Sequence, residues 1–204
     1  MLQPRDPVPS LGRMMVFADG ENLVARFQAM VDAGREPLSD VQYRKDIYAW
    51  SFPTVLPGLN VVLRATYYTY AVGSLELIDE VASQIQSLRF RQYTVLGEHF
   101  TSALVQTLYP RVFSKPKNRS GKGVDIQMTV DVLTNVYQNN LDTVYLVSGD
   151  GDYAPLIHEA QRMGKQVIVA ALSGGLSPKL RLIADGFIDL DNAYFQPLQL
   201  GRLG

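Results

Sequence analysis

Cysteine is absent from this 204-residue chain, and histidine occurs only twice. The first absence excludes a disulfide framework, a thiolate zinc site and a cysteine nucleophile, and it suits a reducing compartment. The second leaves His99 and His158 far apart, with neither in a motif. Also missing is any run of about 18 apolar residues, so no segment has the length of a membrane-spanning helix. The opening residues MLQPRDPVPSLG contain no apolar core of signal-peptide length. A soluble, cytoplasmic protein is the expectation. Charge of either sign is close to balanced, with a net of −1, so attraction to a polyanion has to come from a local patch. One stretch supplies it: His99 to Val124 holds no Asp or Glu, while Arg111, Lys115, Lys117, Arg119 and Lys122 all fall there.

What is present fits one folded domain. Hydrophobic residues make up 47% and charged residues 19%, ordinary values for a globular protein. Residues 1–13 read as a flexible leader, 14–192 as the domain and 193–204 as a tail. Met14–Ala18 is a short apolar run ended by Asp-Gly and reads as a buried strand, with a helix expected over Leu23–Ala33. Residues 34–58 read as irregular, with a short helix around Ile47–Phe52. Leu59–Tyr70 and Arg91–Leu96 read as strands, separated by a helix that Ser74 can cap and that reaches Leu88. Strand and helix then alternate through Asp125–Gln138, Thr143–Val147, Ala154–Met163, Gln166–Leu172, a helix opened by Ser177-Pro178, and Phe187–Leu190. Repeated alternation with strands apolar on both sides predicts a doubly wound α/β sheet.

Acids punctuate this pattern. Asp19 in VFADGEN, Asp125 in KGVD, and Asp150 with Asp152 in YLVSGDGDY each stand where an apolar run stops or a helix begins. In an open parallel sheet those are the carboxyl ends of strands, where sites form. Carboxylates gathered without cations repel one another and are costly to desolvate. A hard divalent ion, Mg²⁺ or Mn²⁺, is the usual remedy. Each acid also has a plainer role open to it as a turn former or helix cap. On a helical projection at about 100° per residue, Asp125 falls inside an apolar arc that includes Ile126, Met128, Val130, Val132 and Tyr137. Asp131 falls outside that arc and is expected on a solvated face.

The stretches VFADGENL, RATYYTYAVG, SGKGVDIQMTVDVL, VYLVSGDGDYAPLIHEAQRMGKQVIVAAL and GLSPKLRLIADGFIDLD resemble the NYN domain family, specifically its LabA-like branch within the PIN-like nuclease superfamily. KGVD followed by SGDGDY is the specific part of the resemblance. It implies a Rossmann-like PIN-type three-layer sandwich with a central, mostly parallel sheet. It also implies a metal-dependent ribonuclease site formed by Asp19, Asp125, Asp150 and Asp152, with Asn22 and Ser148 as polar neighbours. A fifth acid is left unassigned.

On that reading one or two Mg²⁺ or Mn²⁺ ions sit among the aspartates, with Asp19 central, Asp125 and Asp150 direct ligands, and Asp152 acting through water. The ion would activate water for attack on a phosphodiester of RNA, with DNA as the alternative substrate. Lys115, Lys117, Arg119 and Lys122 lead into Asp125 and would track the phosphate backbone, with Lys179 and Arg181 flanking the same groove. Tyr67, Tyr68 and Tyr70 are expected in the core and His158 on an ordinary helix face. A haloacid-dehalogenase-type phosphatase needs a second Asp two residues after its nucleophile, and Asp19 is followed by Gly20 and Glu21 instead. The remaining alternatives are an RNA- or protein-binding regulatory module of little or no activity, and a homodimer joined around Tyr48–Phe52.

Overall fold

A computed structural model describes residues 12–56, 60–96, 99–114 and 122–197. The first half runs β1 Gly12–Asp19, α1 Gly20–Asp32, β2 Gln42–Arg44, β3 Tyr48–Trp50, β4 Asn60–Ala71, α2 Leu75–Ser87, β5 Arg89–Leu96, β6 His99–Thr107 and β7 Tyr109–Ser114. The second half runs α3 Lys122–Tyr137, β8 Thr143–Val147, α4 Ala154–Arg162, β9 Gln166–Ala171, α5 Pro178–Ile183, β10 Gly186–Asp189 and α6 Asp191–Tyr194. Six strands form one sheet in the order β10-β9-β8-β1-β4-β7, and every neighbouring pair is parallel.

A parallel sheet must bury both faces, which is why its central strands carry apolar residues on both sides. Met14, Val16 and Ala18 of β1 join Phe27, Val81 and Ile85 on the face covered by α1 and α2. Phe17 joins Val124, Met128, Val132, Ile157 and Leu180 on the face covered by α3, α4 and α5. The result is the expected three-layer α/β sandwich.

Topology positions the site. The chain starts at β1, builds outward to β4 and β7, then returns through α3 to β8 on the other side of β1. Strand order therefore reverses between β1 and β8, and the crevice beyond the carboxyl ends at such a reversal is where these folds bind ligands. Register places Asp19 opposite Tyr68 and Ala18 opposite Val147, so Ser148 emerges beside Asp19. Helix α1 begins on the very next residue. A Cβ on Gly20 would stand 2.3 Å from Cε1 of Tyr67 and 2.6 Å from the Tyr68 carbonyl oxygen. Only glycine lets the chain turn so tightly against β4.

Several expectations are corrected. The segment Ile47–Phe52 is not a helix: β2 and β3 form an antiparallel hairpin, with Asp46 turning at φ 60°, followed by a single 3₁₀ turn over Phe52–Thr54. Ala49 and Trp50 are fully buried there, and the Trp50 indole donates to the Arg89 carbonyl. Ser51 is buried as well, while Tyr48 and Phe52 at the two ends of the stretch are half-buried. The strand expected over Arg91–Leu96 exists, but it pairs antiparallel with β6 and stays outside the main sheet. The sixth strand of the main sheet is β7, in the acid-free stretch. Ser74 occupies the cap position of α2 without a side-chain cap bond. Tyr67 and Tyr68 are in the core as expected, and His158 is exposed on α4. Among the described residues no helix is long and apolar enough to cross a membrane.

Candidate active site

The buried anchor is Asp19, only 2% exposed at the end of β1. Its Oδ1 accepts the Asn22 backbone N–H at 3.0 Å, capping α1, and its Oδ2 accepts the Ser148 hydroxyl at 3.0 Å. Asn22 reaches across with its own Oδ1 to accept the Gly149 N–H at 3.0 Å. Ser148 Oγ accepts the Asp150 N–H at 3.1 Å, and Asp150 Oδ1 accepts the Asp152 N–H at 2.9 Å. This chain of bonds ties the end of β1 to the loop after β8. From the other side, Tyr153 donates its hydroxyl to Asp125 Oδ1 at 3.2 Å. Asp125 lies within the first turn of α3, so it is not that helix's cap.

The electrostatics follow from crowding. Burial pushes the Asp19 carboxyl up to about 6, with Asp125 and Asp150 adding repulsion and the Asn22 and Ser148 bonds opposing it. Asp125 is also raised, first by burial and then by Asp150 and Asp152, while the Tyr153 bond opposes the rise. Burial and the charges of Asp19, Asp125 and Asp150 hold the Tyr153 phenol well above its ordinary value, so this hydroxyl remains a donor. Among the described residues none of the four aspartates is paired with Lys or Arg.

The acids border two hollows. One, of about 290 Å³, is lined by Asp19, Glu21, Asn22, Ala25, Arg26, Asp125 and Asp150. The other, of about 330 Å³, lies against α3 and carries Asp125, Asp150 and Asp152 with Ile126, Thr129, Val130 and Tyr153. Asp125 and Asp150 belong to both, while Asp152 belongs only to the second and is exposed. Among the described residues no three His, Cys, Asp or Glu side chains are grouped closely enough to hold an ion.

Other expected residues are placed differently. Asp131 is not on a solvated face. It accepts the Tyr68 hydroxyl at 2.9 Å, Arg111 Nη2 at 3.1 Å and Gln127 Nε2 at 2.8 Å, walling a separate hollow with Arg64 and Thr66. Conversely Ile126, Val130 and Tyr137 are 63%, 49% and 53% exposed. Helix α3 is apolar around most of its circumference, so the projection could not say which part of the arc faces the sheet. The buried stripe is Val124, Met128, Val132 and Val136. Lys179 and Arg181 are exposed on α5, and the Arg181 guanidinium lies over the Phe187 ring, 4.9 Å from its centroid. The α5 cap does approach the acids' loop, since Ser177 donates its N–H to the Gly149 carbonyl. Lys115, Lys117 and Arg119 lie outside the described residues, and Lys122 opens α3.

Sequence reasoning missed Glu21, Arg26 and Tyr153. A signal existed for two of them: Asn22 and Arg26 are four apart on a helix and share a face, and Tyr153 closes the quoted SGDGDY motif.

The geometry can now be set beside known proteins. The family model of the NYN domain matches residues 13–191, nearly the whole chain. An uncharacterised protein of Methanocaldococcus jannaschii, MJ0482, is 32% identical over 120 residues, covering 59% of this chain and 49% of that protein. The match thus spans about half the length of that relative. A crystal structure of a protein of unknown function from Vibrio parahaemolyticus, VPA0982, superposes with a TM-score of 0.55 at 18% identity, over 94% of this chain and all of that one. At that identity the likeness concerns the fold alone. By the family match over residues 13–191, this chain belongs to the NYN domain family, within the PIN-like nuclease superfamily.

Proposed function

We propose that this chain is a divalent-metal-dependent nuclease of the LabA-like branch that hydrolyses phosphodiester bonds, with RNA as its substrate. One observation carries the reading. Asp19, Asp125 and Asp150 line one hollow at the strand-order reversal, with Asp19 buried and repelled by the other two, and no cation among the described residues pairs with them.

The donor set fits a hard ion. Mg²⁺ and Mn²⁺ prefer oxygen, keep several waters and need only one or two direct carboxylates, so a site without a closed cage suits a hydrated ion. Bound there, such an ion would offset phosphodiester charge and make a water more acidic. Asp19 cannot swing, because the Asn22 N–H and the Ser148 hydroxyl hold its two oxygens. Tyr153 steadies Asp125. Asp152, exposed at the edge of the second hollow, would act through water or orient the attacking one. Lys115, Lys117, Arg119 and Lys122, which lead into α3, and Lys179 and Arg181 on α5 would supply non-specific contacts to the phosphate backbone.

The decisive experiment incubates labelled single-stranded RNA and DNA with the protein in Mn²⁺, Mg²⁺ or chelator. Cleavage of RNA in either ion, and none in chelator, is the expected result. The absence of a closed cage favours one alternative, an RNA- or protein-binding module of little turnover. Binding without cleavage under every condition would establish that alternative.

Thermal shift gives an independent check. Mn²⁺ should raise the melting temperature by mass action, and Asp125→Asn should remove more of that rise than Asp131→Asn. Asp131→Asn should instead lower the metal-free stability, by about 1 kcal/mol, by weakening the bonds from Tyr68, Arg111 and Gln127. Equal loss of the metal response in the two variants would show that Asp125 is not a ligand.

A further inference from the structure

One basic side chain borders the acids without pairing with them. Arg26 is the only Lys or Arg among the described residues lining the hollow of Asp19, Asp125 and Asp150. Its Nε is buried and has no hydrogen-bond partner, and among the described residues its guanidinium forms no ion pair. The group is held by shape. A Cβ on Gly175 would stand 2.4 Å from Nη1, 2.5 Å from Cζ and 2.8 Å from Nε of Arg26. Gly175 also adopts φ 78°, which glycine tolerates and other residues resist. The loop after β9 therefore seats the guanidinium at the hollow without satisfying it.

Nε is closed off by its packing, but the two terminal Nη groups of arginine also present N–H donors side by side, which match two oxygens of one phosphate. An acid-lined hollow repels a polyanion unless a cation beside it gives the strand a hold. Resting on the nuclease reading above, we infer that Arg26 binds a phosphate of the nucleic-acid strand, next to the phosphodiester that the aspartates address. The contact belongs to binding, so it operates without the ion and positions the strand before any bond is broken.

The test measures affinity for a fluorescent 12-nucleotide single-stranded RNA in chelator, where no metal-dependent cleavage occurs, across a range of salt concentrations. Arg26→Gln should weaken binding about tenfold and flatten the salt dependence of log K by about 0.7, the share of one phosphate on a single strand. Arg26→Lys, which keeps the charge but not the fork, should retain the wild-type slope and bind about threefold more weakly. Arg162→Gln, on α4 and paired with Glu159, should match wild type and serves as the control. Wild-type affinity and slope in Arg26→Gln overturn the inference. If that variant does not fold, Arg26→Lys decides alone, and full wild-type affinity in it overturns the paired contact. The two readings fail separately. Arg26-dependent binding by a wild-type protein that never cleaves would uphold the phosphate contact and sink the nuclease. Metal-dependent cleavage with unaltered Arg26→Gln binding would do the reverse.

Discussion

Asp150→Asn is expected to fold, to bind RNA, and to cleave it at least about a hundredfold more slowly than the wild type in Mn²⁺. The factor corresponds to a loss of roughly 3 kcal/mol of transition-state stabilisation. Folding should survive, because Asp150 contributes one acceptor, Oδ1, to the Asp152 N–H, and asparagine keeps that oxygen. What the substitution removes is a negative charge shared by both hollows. RNA binding should change little or tighten, since a carboxylate near the strand is lost. Initial rates and anisotropy on one preparation decide the matter. A variant that cleaves within a few-fold of wild type would remove Asp150 from the mechanism.

The second large effect concerns stability, and it has an unusual sign. The Asp19 carboxyl is raised to about 6 in the folded protein from an ordinary 3.8, so the folded state holds this proton more tightly than the unfolded one. Stability linked to Asp19 is therefore fully present below about pH 4 and is lost as pH rises through about 6. A shift of about two units amounts to roughly 3 kcal/mol. Asp125, raised in the same direction, broadens the window. In chelator, Asp19→Asn should thus be more stable than wild type at pH 7 to 8, by about 1–2 kcal/mol. The gain is smaller than the full shift because an amide cannot reproduce the bond from the Ser148 hydroxyl. The advantage should shrink or reverse towards pH 4. Urea unfolding of the two proteins from pH 4 to 8 measures the difference and cancels groups such as Asp142, which the Arg13 bonds pull down to about 2. A difference independent of pH would mean that Asp19 is not under this strain. Saturating Mn²⁺ should reverse the trend for wild type, because carboxylate ligands bind the ion deprotonated.

A stabilising substitution that abolishes activity is what an assembled acid site predicts. The fold tolerates Asp19 at a cost, and a part in the proposed chemistry would be a reason to carry it.

Much of this molecule was legible in its residues. Met14–Ala18, Thr143–Val147 and Gln166–Leu172 could only be buried strands, because short apolar runs bounded by Asp-Gly, Ser-Gly or Gly-Lys have few other uses. Their alternation with helices determined the α/β class, and the acids at their ends marked the residues that come to line one hollow. The sequence did not determine which strands share a sheet. Arg89–Leu96 and Tyr109–Ser114 are both short and apolar in part, yet only the second pairs with β4, while the first pairs with β6. Nor did it determine which side of α3 faces inward. Ile126 and Val132 are equally apolar, and only the position of β1 and β4 beneath the helix buries Val132, exposes Ile126, and turns Asp131 toward Tyr68 and Arg111. The seating of Arg26 against Gly175 is likewise a tertiary fact: the two are far apart in the chain, and nothing local to either foretells an arginine held beside the acids with its Nε unpaired.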